Sequence, residues 1–308
     1  MAILVALLSL ESASAQSSPP LHLEAIYTRS LPDSFAVTGV SASSSGAVAY
    51  WAADQPYIIV DTDTQRHVIE AKQVGLPVAV AVLGGDSIVE VVDGRTPRII
   101  RLSMTGQVLG ERSVDLPFSI EHGARANGVW IVVGKDSANI KVMSIADGGE
   151  VKAIDSPSPL TSAWSRSSAY ITGWQAGYSV SLIGSPFDAY AIDSDGSRTP
   201  VHFVQPLLPE SDTSSYQPLW ISMPIVRLET GFLRTFADLR SDTRILVLYD
   251  DHGNISRQTL IRSPLGFVAS LPERRLLIAI RKSDQLEVVG YRWRRGVGDH
   301  DTNHKETP

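Results

Sequence analysis

Cysteine is absent from all 308 residues. That excludes disulfide scaffolds, zinc ribbons, Fe–S clusters and cysteine nucleophiles. Charge is sparse at 19% of residues, and 33 acidic side chains against 27 basic ones leave a formal net charge of −6. A general nucleic-acid binder needs a basic surface, which this chain does not offer. Sparse charge beside 43% hydrophobic content also excludes a disordered polypeptide. No long stretch keeps a 3.6-residue apolar period, so very little helix is expected. P-loops and dinucleotide fingerprints are missing. The nearest approach to a Gly-x-Ser-x-Gly elbow, Leu182-Ile183-Gly184-Ser185-Pro186, lacks the second glycine.

What is present starts with an address. Ile3 to Leu10 (ILVALLSL) is an apolar run, followed by small residues ending in Ala13-Ser14-Ala15 before Gln16. This is the h-region and cleavage pattern of a secretory signal peptide, although no Lys or Arg precedes it. Eight residues are too few to span a bilayer, and no transmembrane segment is expected. Residues 1–15 are read as the signal, 16–20 (QSSPP) as a linker, and the destination as the periplasm or the exterior.

The body repeats. Proline opens an apolar strand at Pro32, Pro77, Pro117, Pro159, Pro218 and Pro264, with spacings of 45, 40, 42, 59 and 46 residues. Proline suits a strand's first residue, where no ladder donor is needed. A polar turn then leads into a second apolar strand, as at Gly46 (AVAYW), Ser87 (IVEVV), Gly128 (VWIVV), Ser168 (AYITGW) and Gly231 (FLRTF). A third strand runs to a polar turn ending at Thr64, Gly106, Gly149, Gly196, Gly253 and Gly296, spaced 42, 43, 47, 57 and 43. A fourth short strand follows the first five of these turns. Four strands in 40–45 residues is the period of a propeller blade. Tandem sandwiches do not require six landmarks in register, and a β-helix coil is much shorter.

The sixth unit lacks its fourth strand, while a spare one, Leu21 to Thr28, precedes the first unit. Ring closure by that N-terminal strand leaves no open edge between first and last blades. The expected fold is all-β: a six-bladed β-propeller of four-stranded antiparallel blades over residues 21–296, its last blade completed by the N-terminal strand. Residues 297–308 are expected to form a disordered tail. This repeat grammar, with the export signal, resembles secreted bacterial six-bladed propellers of the NHL/TolB-like superfamily. The resemblance covers residues 21–296 and implies a ligand site at one mouth of a central channel; it carries no catalytic signature.

The innermost strands, which line such a channel, are expected at Phe35–Ser41, Val78–Leu83, Phe118–His122, Leu160–Trp164, Leu219–Met223 and Leu265–Ser270. Only Glu121 and His122 bring titratable groups there, and one of the two must face the channel because strand neighbours alternate. They are the candidate acid/base pair or metal ligands. Propeller lactonases hold a metal with Glu, Asn and Asp, yet no Asn falls on an inner strand here; Asn127 sits just beyond one. Propeller lyases with zinc need converging His, and the seven here are scattered. Asp61-x-Asp63 and Asp193-x-Asp195-Gly196 are read as Asx-type turns and not as calcium loops. No metal and no cofactor are expected.

Tyr50, Trp51, Trp130, Tyr170 and Phe232 recur on second strands and are read as packing between blades. Gly173–Pro186 and Gln205–Gln217 are read as insertions between the fourth and fifth units. Arg274, Arg275, Arg281, Lys282, Arg292, Arg294 and Arg295 make the last blade basic. The function expected is a non-enzymatic binding module, a monomer with an unidentified protein or small-molecule partner. Its site is placed near the blade four and five loops, at Glu121, Trp164, Trp174, Tyr216 and Trp220. The alternative is a metal-assisted, lactonase-like hydrolase or lyase using Glu121 and His122.

Overall fold

The computed structural model describes residues 21–136, 139–154, 169–182, 189–193, 200–209, 220–282 and 284–295. The signal, the linker, the 297–308 tail, Trp164 and Tyr216 lie outside these residues. The first strand, β1 (Leu21–Ser30), stands apart from its sequence neighbours. Blade one is β2 (Gly39–Ala42), β3 (Val48–Trp51), β4 (Tyr57–Asp61) and β5 (Arg66–Glu70). Blade two is β6 (Pro77–Leu83), β7 (Ile88–Asp93), β8 (Arg98–Ser103) and β9 (Val108–Ser113). Blade three is β10 (Ser119–Ala126), β11 (Val129–Asp136), β12 (Asn139–Ile145) and β13 (Val151–Ile154). Blade four is β14 (Ala169–Trp174), β15 (Gly177–Leu182), β16 (Ala189–Asp193) and β17 (Val201–His202). Blade five is β18 (Trp220–Arg227), β19 (Phe232–Asp238), β20 (Thr243–Tyr249) and β21 (Ile255–Arg262).

Blade six holds β22 (Leu265–Leu271), β23 (Leu276–Lys282) and β24 (Leu286–Arg295), and β1 is its fourth strand. β1 runs antiparallel to β24 from Leu21 opposite Arg295 to Ser30 opposite Glu287, with a bulge between Ala25 and Tyr27. The inner strands β2, β6, β10, β14, β18 and β22 touch in cyclic order. The chain is a closed six-bladed β-propeller. Among the described residues there is no α-helix, and so none long and apolar enough to cross a membrane.

The hydrophobic residues explain why the ring closes. Among the described residues there are six buried clusters, and each joins two adjacent blades. Trp130 of blade three meets Val92 and Ile99 of blade two; Trp293 of blade six meets Val226 and Leu246 of blade five. Tyr50 and Ile59 of blade one pack with Ile278 and Val288 of blade six, across the seam. A single blade has apolar faces but no partner for them, so its burial depends on its neighbours.

Two readings of the sequence are corrected here. The inner strand of blade four is β14, Ala169–Trp174, whereas Leu160–Trp164, expected in that place, lies outside the described residues; β15, taken as part of an insertion, is its second strand. β15 reads GYSVSL: Tyr178 and Val180 pack with blade three, and Ser179 and Ser181 make its other face buried but polar. Ser179 is buried because its hydroxyl donates to the Ile225 carbonyl of blade five at 2.9 Å. Tyr170 therefore belongs to an inner strand. In blade one, Pro32 to Phe35 form a turn, closed by Phe35 N–H to Pro32 O at 2.8 Å, and the inner strand starts only at Gly39. Among the described residues, Pro77 opens β6 and Pro264 directly precedes β22. Pro224 lies inside β18, where the register shifts between Ser222 and Ile225, an irregularity of the kind in which a missing N–H is tolerated.

Buried carboxylates fasten the loops. Asp93 ends β7 and accepts from the N–H groups of Gly75 (2.9 Å), Leu76 (3.0 Å) and Arg95 (3.0 Å), and from Arg98 at 3.1 Å. It thereby ties the entry of blade two to its own turn. Burial alone raises its pKa, but the N–H donors of Gly75 and Arg95, the Arg98 guanidinium and the Leu76 N–H outweigh that and hold it below the ordinary 3.8. In blade five the partly exposed Asp250 accepts from the N–H groups of His252 (2.9 Å) and Asn254 (2.8 Å), an Asx-type turn. The turn expected at Asp61-x-Asp63 is instead closed by Thr62, whose hydroxyl accepts from the Gln65 N–H at 3.1 Å, while Asp61 pairs with Arg66 at 2.8 Å. Asp195 lies outside the described residues.

Deleting residues 21–28 strips the seam of Leu21, Leu23 and Tyr27 and is expected to cost about 3 kcal/mol or more; unchanged thermal unfolding would contradict closure. Asp93→Asn is expected to destabilise by about 2 kcal/mol at pH 7. Since a depressed carboxylate pKa stabilises only above the unfolded value, the gap between variant and parent should narrow as pH falls below 3.8. Urea unfolding at pH 7 and pH 3 measures both.

Candidate functional site

Every inner strand runs in the same sense along the axis, so the channel has two chemically distinct ends. The ends where the inner strands finish surround a cavity of about 340 Å³. Its polar lining is mostly neutral: Ser41, Ser43, Asn127, Thr172, Gln175 and Ser270, with Arg125 and Glu273 as charged members. Asn127 follows β10 with φ 49°, a left-handed conformation that Asn tolerates, and its N–H donates to the Gln175 carbonyl at 3.2 Å. That bond links the blade three and blade four turns at the cavity rim. Gly173 allows β14 to approach β10: a Cβ there would sit 2.4 Å from the Arg125 carbonyl oxygen.

Arg125 is not free to seize an anion. Its guanidinium donates to Glu90 at 2.5 Å and to Asp147 at 2.8 Å, and lies over the Trp130 ring at 5.7 Å. Glu90 is completely buried, and also accepts from Arg101 (2.7 Å) and the Trp130 indole N–H (3.1 Å). A buried carboxylate so fully paired binds blade two to blade three. Thr172 and Ser270 are different. They are only 6% and 4% exposed, both line the cavity, and neither hydroxyl makes a hydrogen bond to the protein.

The same space continues as a side groove of about 290 Å³ between Trp174–Ala176, Arg227–Glu229 and Pro272–Arg275. Arg227 pairs with Asp251 at 2.6 Å and Arg275 with Glu229 at 2.9 Å, and Glu273 adds a further carboxylate to the wall. Trp174 forms part of the wall of both spaces, with its ring set edge-on to Phe232 at 6.0 Å.

The opposite end, where the inner strands begin, holds the expected dipeptide. A bulge between Ile120 and His122 decides which member faces inward. His122 lines an axial cavity of about 120 Å³. Glu121 turns aside to Lys135, 3.5 Å away. The His122 ring stands 5.5 Å from Tyr170. Burial lowers the His122 pKa below 6.5, against the pull of Glu121, and burial raises that of Tyr170. Trp220 opens β18 towards this end, its indole N–H donating to the Pro209 carbonyl at 3.4 Å.

The structure thus brings His122 together with Tyr170, and sets Glu121 and Trp220 at the end of the channel away from Trp174. Thr172, Ser270 and Gln175 were not singled out by the sequence, and small polar residues on inner strands offer no motif that would have marked them. Tyr50, Trp51, Trp130 and Phe232 are buried between blades, as expected of second-strand aromatics. In the basic last blade, Trp293 belongs to the core, with Arg275 over its ring at 5.9 Å, and Arg281 pairs with Glu287 at 2.7 Å. Among the described residues no three His, Asp or Glu gather as metal ligands.

The fold defines a class, the six-bladed β-propeller. No protein-family model matches the sequence, and no curated protein matches it. Solved structures do match in shape. One is a member of the DUF4221 family from Bacteroides vulgatus, with TM-score 0.55 at 10% identity, covering 91% of this chain and 100% of that one. Another is the PQQ-bound aldose sugar dehydrogenase of Streptomyces coelicolor, with TM-score 0.55 at 12% identity, covering 90% and 100%. Virginiamycin B lyase from Staphylococcus aureus matches with TM-score 0.47 at 12% identity over 87% of this chain and 88% of that one. Identities this low establish a shared architecture and nothing about chemistry.

His122 provides a pH test. A histidine whose folded pKa is depressed stabilises the protein fully above 6.5 and less as pH falls through and below that value. The melting temperature is expected to drop between pH 7.5 and 5, and His122→Gln to show a shallower drop.

Proposed function

We propose that the chain is an exported binding module that holds a small uncharged polar molecule at the wide mouth of its channel. Thr172 and Ser270 carry this reading: two residues in the wall of a cavity of about 340 Å³ hold buried hydroxyls without a protein partner. A native fold rarely keeps such groups idle, since an unpaired buried hydroxyl costs about 1–3 kcal/mol. A hydroxyl-rich or amide-bearing ligand satisfies them, with Asn127 and Gln175 nearby as further donors and acceptors. The paired state of Arg125 disfavours an anion. Of the residues favoured from the sequence, Trp174 alone belongs to the wall of this mouth and of the groove beside it. Export rests on the ILVALLSL run and Ala13-Ser14-Ala15. The metal-assisted alternative draws no support from the described residues, because Glu121 points to Lys135 and His122 stands without acidic partners.

Thermal-shift screening against sugars, polyols and small amides is expected to find a stabilising ligand. Thr172→Val with Ser270→Ala should abolish the shift. Because those hydroxyls bond to no protein group, the variant itself should stay within about 1 kcal/mol of the parent. A ligand that stabilises parent and variant equally would place the site elsewhere.

A further inference from the structure

The narrow end of the channel has the makings of a separate site. Its cavity of about 120 Å³ is walled by Trp51, Val78, Met223, Val268 and Ile280, all apolar. Val40, Gly123 and Ile171 also belong to the wide cavity's wall, so the two spaces sit back to back on the axis. Within this apolar box stand two polar rings, His122 and Tyr170. Neither makes a hydrogen bond to any described residue. Thr38, the other hydroxyl in the wall, is already committed to the Trp51 carbonyl at 3.2 Å.

A neutral imidazole offers one donor and one acceptor, and a phenol offers both. Burial disfavours charge on either ring. The chemistry of the box is therefore apolar contact plus hydrogen bonding without charge. Its size is near that of the roughly 150 Å³ protein cavities that admit benzene. A flexible methionine and a tryptophan edge suit a flat ring.

We propose that this cavity is a second ligand site, taking a small uncharged ring that bears a hydroxyl or carbonyl, with Tyr170 and His122 as its polar contacts. The site is independent of the one at the wide mouth. Its polar contacts are different side chains, and it takes a different kind of molecule.

Phenol is the probe, and the reporter is the Met223 methyl group, resolved by methyl-labelled NMR from the chain's three other methionines. Titration should shift Met223 saturably and leave Met104 and Met143 in place. Tyr170→Phe, which removes only an oxygen without a protein partner, should weaken phenol binding about fivefold to tenfold. Benzene should bind the two proteins alike. Benzoate should not bind, because its charge would be stranded among apolar walls. The Thr172→Val, Ser270→Ala variant should titrate with phenol as the parent does, which keeps this result separate from the fate of the wide-mouth site. No saturable shift at Met223, benzoate binding as well as phenol, or phenol binding unchanged in both Tyr170→Phe and His122→Asn would each overturn the assignment.

Discussion

Burial between blades, not within them, is the constraint on which this molecule depends. Every hydrophobic cluster draws on two neighbouring sheets, so a blade has no core of its own. Five of the interfaces join sheets that follow one another along the chain. The sixth, between blades six and one, needs the two ends of the domain to meet. Its apolar contacts, Tyr50 and Ile59 with Ile278 and Val288, are reinforced by the β1–β24 ladder. Loop-closure entropy grows only slowly with chain length, so one such long-range contact is affordable once the other interfaces have formed.

Polar groups inside this frame fall into two kinds. Glu90 and Asp93 are saturated with donors, and their work is to hold blades and turns in register. Thr172, Ser270, His122 and Tyr170 have hydrogen-bonding capacity that the protein leaves unused. Unpaired buried groups also occur between blades, as at Ser181 and Thr235; what sets Thr172, Ser270, His122 and Tyr170 apart is that they belong to the walls of the axial cavities. The axis is thereby divided into a wide end of neutral hydroxyls and amides and a narrow end of aromatic and apolar walls.

Much of the architecture was legible in the amino acids. The spacing of prolines and polar turns marked the blades, and the missing fourth strand at one end matched the spare strand at the other. Blade four was the exception, because one buried face of β15 is made by Ser179 and Ser181 and not by apolar residues. With β15 disguised, the whole blade was displaced by one strand and Tyr170 was put on the wrong one. The site was less legible. Glu121-His122 stood out as a pair, but a bulge, a feature without a sequence signal here, selected His122. Thr172 and Ser270 matter only because of what fails to touch them, and that is a property of packing.

The seam has a further geometric result. Leu21 lies opposite Arg295 on the outermost pair of strands of one blade. Whatever polypeptide precedes the one and follows the other must leave side by side from the rim, remote from the axis. A tether, tag or fused domain attached at either point would therefore hang beside the ring and leave both openings of the channel clear.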